Sequence, residues 1–217
     1  MLGCRGALKD AEAHYARLFH DADTVLGVTP PYDPSVFKEA ALSLMKGHDL
    51  PYVRVRTVIT AGVLSNPLAK AEHPTYLITI SKASDPAETT PATCVIVSDF
   101  PRVAGCRLEN CKRTDYTRAY AARRRAELLG ASDALMTNSE GNIACATTSN
   151  IFIVESGQWI TPPLTDGVIE GITRRHVICT QKAREESISP ARLKQADQIF
   201  LTNSLVGVRP AWLLQGD

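Results

Sequence analysis

The nine residues YVRVRTVIT, 52 to 60, set Val53, Val55 and Ile59 on alternate positions with Arg54 and Arg56 between them. A period of two turns successive side chains to opposite faces, so the stretch reads as a strand with one face in a core and the other in water. Such a strand is not stable alone. It obliges the chain to supply neighbouring strands and an apolar cover for the inner face. Two amphipathic helices precede it. One covers 10–26, with Ala13, Ala16, Leu18 and Phe19 spaced among charges, and the other covers 34–47, opened by Pro34 and Ser35 and stopped by Gly47. Further strands are expected at TYLITI and TCVIVS, each after a proline-bearing turn.

From about 99 to 110 the chain has proline, glycine and mixed charge without periodicity, which marks a boundary between a smaller N-terminal lobe, 1–105, and a C-terminal lobe, 106–217. An alanine-rich helix follows at 114–129, closed by Gly130. DALMT, NIACATT and NIFIVES are short β segments, and NSEGN and ESGQ suit tight turns. A helix starts at Gly171, and QIFLTN is the last strand. Antiparallel strands with separate helices give an α+β fold in two lobes.

Composition excludes several classes. Lys and Arg number 24 against 23 Asp and Glu, a net charge of +1, so nothing in the balance calls for nucleic acid or an anionic membrane. Arg123, Arg124 and Arg125 point three ways around a helix and read as a solvated face. No apolar run reaches the roughly 18 to 20 residues that cross a bilayer, and no leader pattern follows Met1. The six cysteines, Cys4, Cys94, Cys106, Cys111, Cys145 and Cys179, have no C-x-x-C spacing and fit a reducing cytoplasm. His14, His20, His48, His73 and His176 lack ligand spacing, so no metal site is expected. Asp99, Asp115 and Asp133 read as cap and turn residues.

Four stretches carry polar groups beyond what secondary structure needs. In ATTSNIF, Thr147, Thr148 and Ser149 come consecutively in a strand region, where threonine is at home anyway. In VIEGITRR, Gly171 precedes a helix whose first turn offers the amides of Ile172 and Thr173 and a hydroxyl, a start that suits an anion, as helix starts generally do. In FLTNSL, Thr202, Asn203 and Ser204 either bind or cap a turn. In CKRTDYTRAY, Lys112 is a surface charge or a nucleophile. An ordinary lysine, with a pKa near ~10.4, is protonated at neutral pH. It becomes nucleophilic where desolvation or a neighbouring cation, such as Arg113 or Arg17, disfavours the ammonium form. Together these are the parts that a phosphate-bearing aldehyde requires.

The run from YTRAYAARRR through NIACATTSNIFIVESGQWITPPLTDGVIEGITRRHVI to ADQIFLTNSLVGVRP resembles the class IV, fold type IV, pyridoxal-phosphate enzymes: branched-chain and D-amino-acid aminotransferases and aminodeoxychorismate lyase. The likeness extends over about residues 7–211. It implies a two-lobed fold, pyridoxal 5'-phosphate as cofactor, and Lys112 as the residue that forms the internal aldimine and then shuttles the substrate proton. It puts Tyr116 beside that lysine. Arg17, Ile172 and Thr173 fall on the cofactor phosphate, Thr202 and Ser204 on a further phosphate contact, and Thr147 and Thr148 along the ring and substrate.

This chain departs from the family pattern at three points. Cys145 stands where the family has a glutamate pairing with the pyridine nitrogen, and Ala61 where several members have an arginine for the substrate carboxylate. Arg54, Arg56 and Arg102 are candidate substitutes. Family chains also open with strands ending in GDG-x-F-E-T, and Met1 aligns just after that stretch, so the small lobe is expected to be incomplete, by truncation or by loss. The activity implied is an aminotransferase acting on a small amino acid, in a cytoplasmic homodimer. The alternatives are aminodeoxychorismate lyase, which eliminates pyruvate to give 4-aminobenzoate, and a relative without catalysis.

Overall fold

The computed structural model describes residues 1–214, and the chain divides into two compact units, Met1–Pro86 and the residues from Ala87 on. In the first, β1 (Leu2–Cys4), β2 (Ala7–Leu8), β3 (Tyr52–Thr60) and β4 (Thr75–Lys82) form an antiparallel sheet in the order β2-β1-β3-β4. Val53 and Val55 of β3 are buried while Arg54 and Arg56 are exposed, as the alternation requires. The buried pair packs with Ala41 and Met45 of α2 (Pro34–Lys46). Tyr15 of α1 (Ala11–Leu26) packs with Phe37 of α2, its hydroxyl donating to the Phe37 carbonyl at 3.0 Å. Gly3 permits this packing, because a Cβ there would lie 2.6 Å from Val53 Cγ2.

The second unit runs β5 (Ala92–Arg102), α3 (Arg107–Asn110), α4 (Thr117–Leu128), β6 (Asp133–Asn138), β7 (Ile143–Ala146), β8 (Asn150–Glu155), β9 (Gln158–Thr161), α5 (Ile172–Gln181), β10 (Arg184–Glu185), α6 (Pro190–Gln195), β11 (Gln198–Asn203) and β12 (Gly207–Leu213). Its sheet has the order β10-β9-β8-β11-β12-β5-β6-β7, and β7 pairs back with β8 through Cys145 and Asn150. Six strands, β8-β11-β12-β5-β6-β7, therefore close into a ring. All six contribute to one core that includes Ala92, Leu135, Ile143, Ile151, Leu201 and Ala211.

Two expectations are corrected here. The lobe boundary near 105 is too late: β5 reaches Arg102 and pairs in parallel with β6 and β12, so it belongs to the second unit by its ladder partners. The sheet is also mixed, because β5 runs parallel to both neighbours.

Pleating explains why β6 is buried on both faces. Leu135 joins the ring core, and Ala134 and Met136 pack against Ala122 and Ala126 of α4. That helix ends as expected, with Gly130 at φ +77° and the Ala131 N–H donating to the Ala126 carbonyl at 2.9 Å. It begins three residues later than 114, where Asp115 Oδ1 accepts from the Thr117 N–H at 3.1 Å, and this leaves 111–116 as the turn that carries Lys112. No helix among the described residues is long and apolar enough to cross a membrane.

Candidate active site

Lys112 follows α3 on that turn, and its side chain is exposed. Nζ donates to the Tyr116 hydroxyl at 2.9 Å and lies 4.8 Å from the centre of the same ring. A lysine held over a tyrosine face has both a direction and a hydrogen-bond partner for its amine. Arg113, expected to act on this amine, instead turns to Glu109, 3.7 Å away. Glu109 is only 3% exposed and also receives Arg102 at 2.8 Å and Arg118 at 2.5 Å, so a buried carboxylate is compensated by three guanidinium groups just before the lysine.

Arg102 is fully committed. Besides the Glu109 carboxylate, it donates to the Glu109 carbonyl at 2.6 Å and to the Gly167 carbonyl at 2.8 Å. These contacts give it a structural role. Arg54 and Arg56 lie exposed on β3 in the first unit, and Ala61 follows that strand.

The three hydroxyls after β7 sit in a bend rather than a strand, closed by the Ala146 N–H donating to the Ser149 carbonyl at 2.9 Å. Thr147 Oγ1 donates to Asp133 Oδ1 at 2.6 Å, and its N–H points at the same oxygen at 3.3 Å. Asp133 is fully buried and also meets Arg123 at 3.4 Å and Arg209 at 3.5 Å. The expected cap residue is therefore a buried anchor for Thr147, and Arg123 is more than a solvated charge. Nothing in the local sequence separates this aspartate from a turn aspartate, since apart from the adjacent Ala134 N–H its partners are 10 to 76 residues away. Thr148 is exposed on the bend.

Ser149 Oγ accepts from Asn203 Nδ2 at 3.1 Å, while Asn203 Oδ1 accepts the N–H groups of Leu205 at 2.9 Å and Val206 at 3.1 Å, which fixes the turn carrying Ser204. Thr202, in register with Asn150, is buried, and its Oγ1 has no hydrogen-bond partner among the described residues. Asn150 also shapes the start of α5. Its Nδ2 donates to the Ile169 carbonyl at 2.9 Å, and its Oδ1 lies where a Gly171 Cβ would come within 2.2 Å. Gly171 brings no side chain to cap the helix, and the amides of Ile172, which is buried, and half-buried Thr173 form its first turn.

Cys145 pairs with Asn150 across β7 and β8. Burial pushes its thiol pKa up. The positive charges of Arg102 and Lys112 oppose that shift, and the carboxylates of Glu109 and Asp133 add to it. The group is a neutral thiol at neutral pH.

Lys112, Tyr116, Cys145, Thr147, Thr148, Ile172, Thr173, Thr202 and Ser204 all belong to the second unit. Arg17 lies on α1 of the first unit, where burial, the N-terminal charge and Arg17 together lower the pKa of His14 to about 3.

The sequence model of one family, amino-transferase class IV, matches residues 4–212. The chain belongs to that family. Members of this class use pyridoxal phosphate. A solved structure of a putative 4-amino-4-deoxychorismate lyase from Legionella pneumophila, 27% identical, superposes with a TM-score of 0.91 over 99% of this chain and 81% of its own. A branched-chain aminotransferase of Thermoproteus uzoniensis, solved with norvaline, is 25% identical at a TM-score of 0.80 over 95% and 74% of the two chains. A probable branched-chain-amino-acid aminotransferase of Rickettsia typhi is 26% identical over 94% of this chain and 73% of its own. The match to the Aquifex aeolicus protein of the same description, at 35% identity, spans only 32% of that protein's length and 44% of this chain.

The residues present fit the family's cofactor. A buried Thr202 hydroxyl with no hydrogen-bond partner among the described residues, a helix start with no capping side chain and an amine with a fixed partner are groups of the kind that a phosphate and an aldehyde call for.

Proposed function

We propose that this chain is a pyridoxal-phosphate enzyme that transfers the amino group of a small amino acid, with Lys112 as its nucleophile and proton carrier. The observation that carries the reading is the Lys112 amine held 2.9 Å from the Tyr116 hydroxyl on the unit that also contains the α5 start. Bound pyridoxal phosphate would supply an aldehyde that accepts an amine and a conjugated ring that takes up charge from the substrate α-carbon.

The protein's part is binding, orientation and proton movement. The amides of Ile172 and Thr173, at a helix start where the dipole favours negative charge, would hold the phosphate together with the hydroxyls of Thr202 and Ser204. The family resemblance also assigns Arg17, on α1 of the first unit, to the phosphate. Thr147, held by Asp133, and Thr148 line the ring and substrate. Lys112 Nζ would take up and hold the proton of the substrate α-carbon, with the Tyr116 hydroxyl orienting the amine. The enzyme works as a cytoplasmic homodimer, and the absence of C-x-x-C spacing among its six cysteines suits the cytoplasmic part of that reading.

A second reading rests on Cys145. A neutral thiol leaves the ring nitrogen without an acidic partner, which weakens charge uptake and favours the aminodeoxychorismate lyase reaction, where formation of an aromatic product drives elimination of pyruvate. Incubation with pyridoxal phosphate and either a branched-chain amino acid plus 2-oxoglutarate or aminodeoxychorismate separates the two. Glutamate formation supports the aminotransferase, pyruvate with 4-aminobenzoate supports the lyase, and neither product contradicts both.

A further inference from the structure

Six consecutive carbonyls, from Leu164 to Ile169, form the approach to α5, and each accepts a hydrogen bond from outside that segment. Asn110 Nδ2 donates to Leu164 at 2.9 Å and to Val168 at 2.8 Å. The Gly105 N–H donates to Thr165 at 2.7 Å, Asn138 Nδ2 reaches Asp166 at 3.5 Å, Arg102 Nε donates to Gly167 at 2.8 Å, and Asn150 Nδ2 donates to Ile169 at 2.9 Å. Gly167 sits at φ +77°, and a Cβ there would come 2.7 Å from the Val103 carbonyl oxygen, so this approach is packed directly onto the end of β5.

Three of these donors, Arg102, Gly105 and Asn110, belong to the ten residues that lead into Lys112. Asn110 is two residues before the lysine and spans the loop with both protons of one amide. Arg102 holds the same loop through Nε and α3 through Nη2, which meets the Glu109 carbonyl at 2.6 Å and carboxylate at 2.8 Å. The lysine turn and the α5 start are thereby tied into one body, although they are about 60 residues apart in the chain.

We propose that Asn110 and Arg102 are positioning residues that set the distance between the Lys112 amine and the anion-binding start of α5. The idea rests on the function proposed above. An amine and a phosphate cradle that each form well but stand at the wrong separation would bind a phosphate normally and capture a phosphate-bearing aldehyde slowly. A misplacement of about 1 Å can cost ~100-fold in rate.

The test uses two ligands with the full-length protein. Pyridoxine 5'-phosphate has the ring and phosphate but no aldehyde, and its dissociation constant reads the cradle alone. Pyridoxal 5'-phosphate, trapped with borohydride over time and mapped to Lys112, reads capture. For Asn110→Ala, and for Arg102→Lys as the milder variant if the first fails to fold, pyridoxine phosphate affinity should stay within about twofold of wild type while capture at Lys112 slows by about tenfold or more. Unchanged capture overturns the inference, and so does an equal loss in both measurements, which marks a role in folding only. If wild-type protein binds pyridoxine phosphate but is never trapped at Lys112, the proposed function fails and this inference fails with it.

Discussion

Asp133 is a buried carboxylate that anchors Thr147. Its Oδ1 accepts from Thr147, Oγ1 at 2.6 Å and N–H at 3.3 Å, and two arginines approach its carboxylate. Asp133→Ala removes a buried charge from these partners and should destabilise the protein by about 3 kcal/mol in urea unfolding. Thr147→Val deletes one hydrogen bond and should cost about 1 kcal/mol. The double variant should cost less than the sum of the two, because both remove the same contact. Cys145 offers a functional prediction at the same scale. Cys145→Glu would give the ring nitrogen an acidic partner, and glutamate formation should rise about tenfold over wild type, the size of one charge-assisted hydrogen bond. An unchanged rate would contradict the role assigned to this position. Neither Lys112 nor Cys145 could be singled out from composition or period. An exposed lysine and a small apolar thiol are ordinary residues, and only the family resemblance marked them. Asn110 was invisible even to that, since its partners are carbonyls 54 and 58 residues further on.

Elements were legible where a single periodicity governed them. β3 spans the nine alternating residues, and α1 and α2 fall within a residue of their expected limits, because each presents one face to a core. β12 gave no such signal. It contains Pro210, which lacks an N–H, and alternates only weakly, yet it is held by β11 on one side and β5 on the other. α3 is a single turn, too short for a helical pattern, and the bend at 147–149 takes up the threonines that the sequence puts in a β segment. On α1, His14 carries a prediction of its own. Its folded pKa, about 3, lies below the ordinary 6.5, so the unfolded chain takes up a proton that the folded chain refuses. Stability should therefore fall as pH drops below about 6.5, and His14→Gln should flatten that dependence; urea midpoints at pH 7 and pH 5 check it. At the approach to α5, Gly167→Ala forces a Cβ to within 2.7 Å of the Val103 carbonyl oxygen at a left-handed φ. A lowered thermal midpoint and weakened phosphate binding should follow together.

For the whole molecule, 24 basic and 23 acidic side chains put the isoelectric point near 7.6, so solubility should pass through a minimum close to that pH. Two compact units and a closed six-stranded ring give the second unit its own core, and that unit contains every proposed cofactor contact except Arg17. The central claim is that this unit holds pyridoxal phosphate through Lys112. The direct measurement is the visible spectrum of the purified protein with added pyridoxal phosphate, followed by borohydride reduction and peptide mapping. A new visible band, lost on reduction, with the pyridoxyl group on Lys112 and absent from Lys112→Ala is the predicted result. No band, or a label on another lysine, would contradict the account.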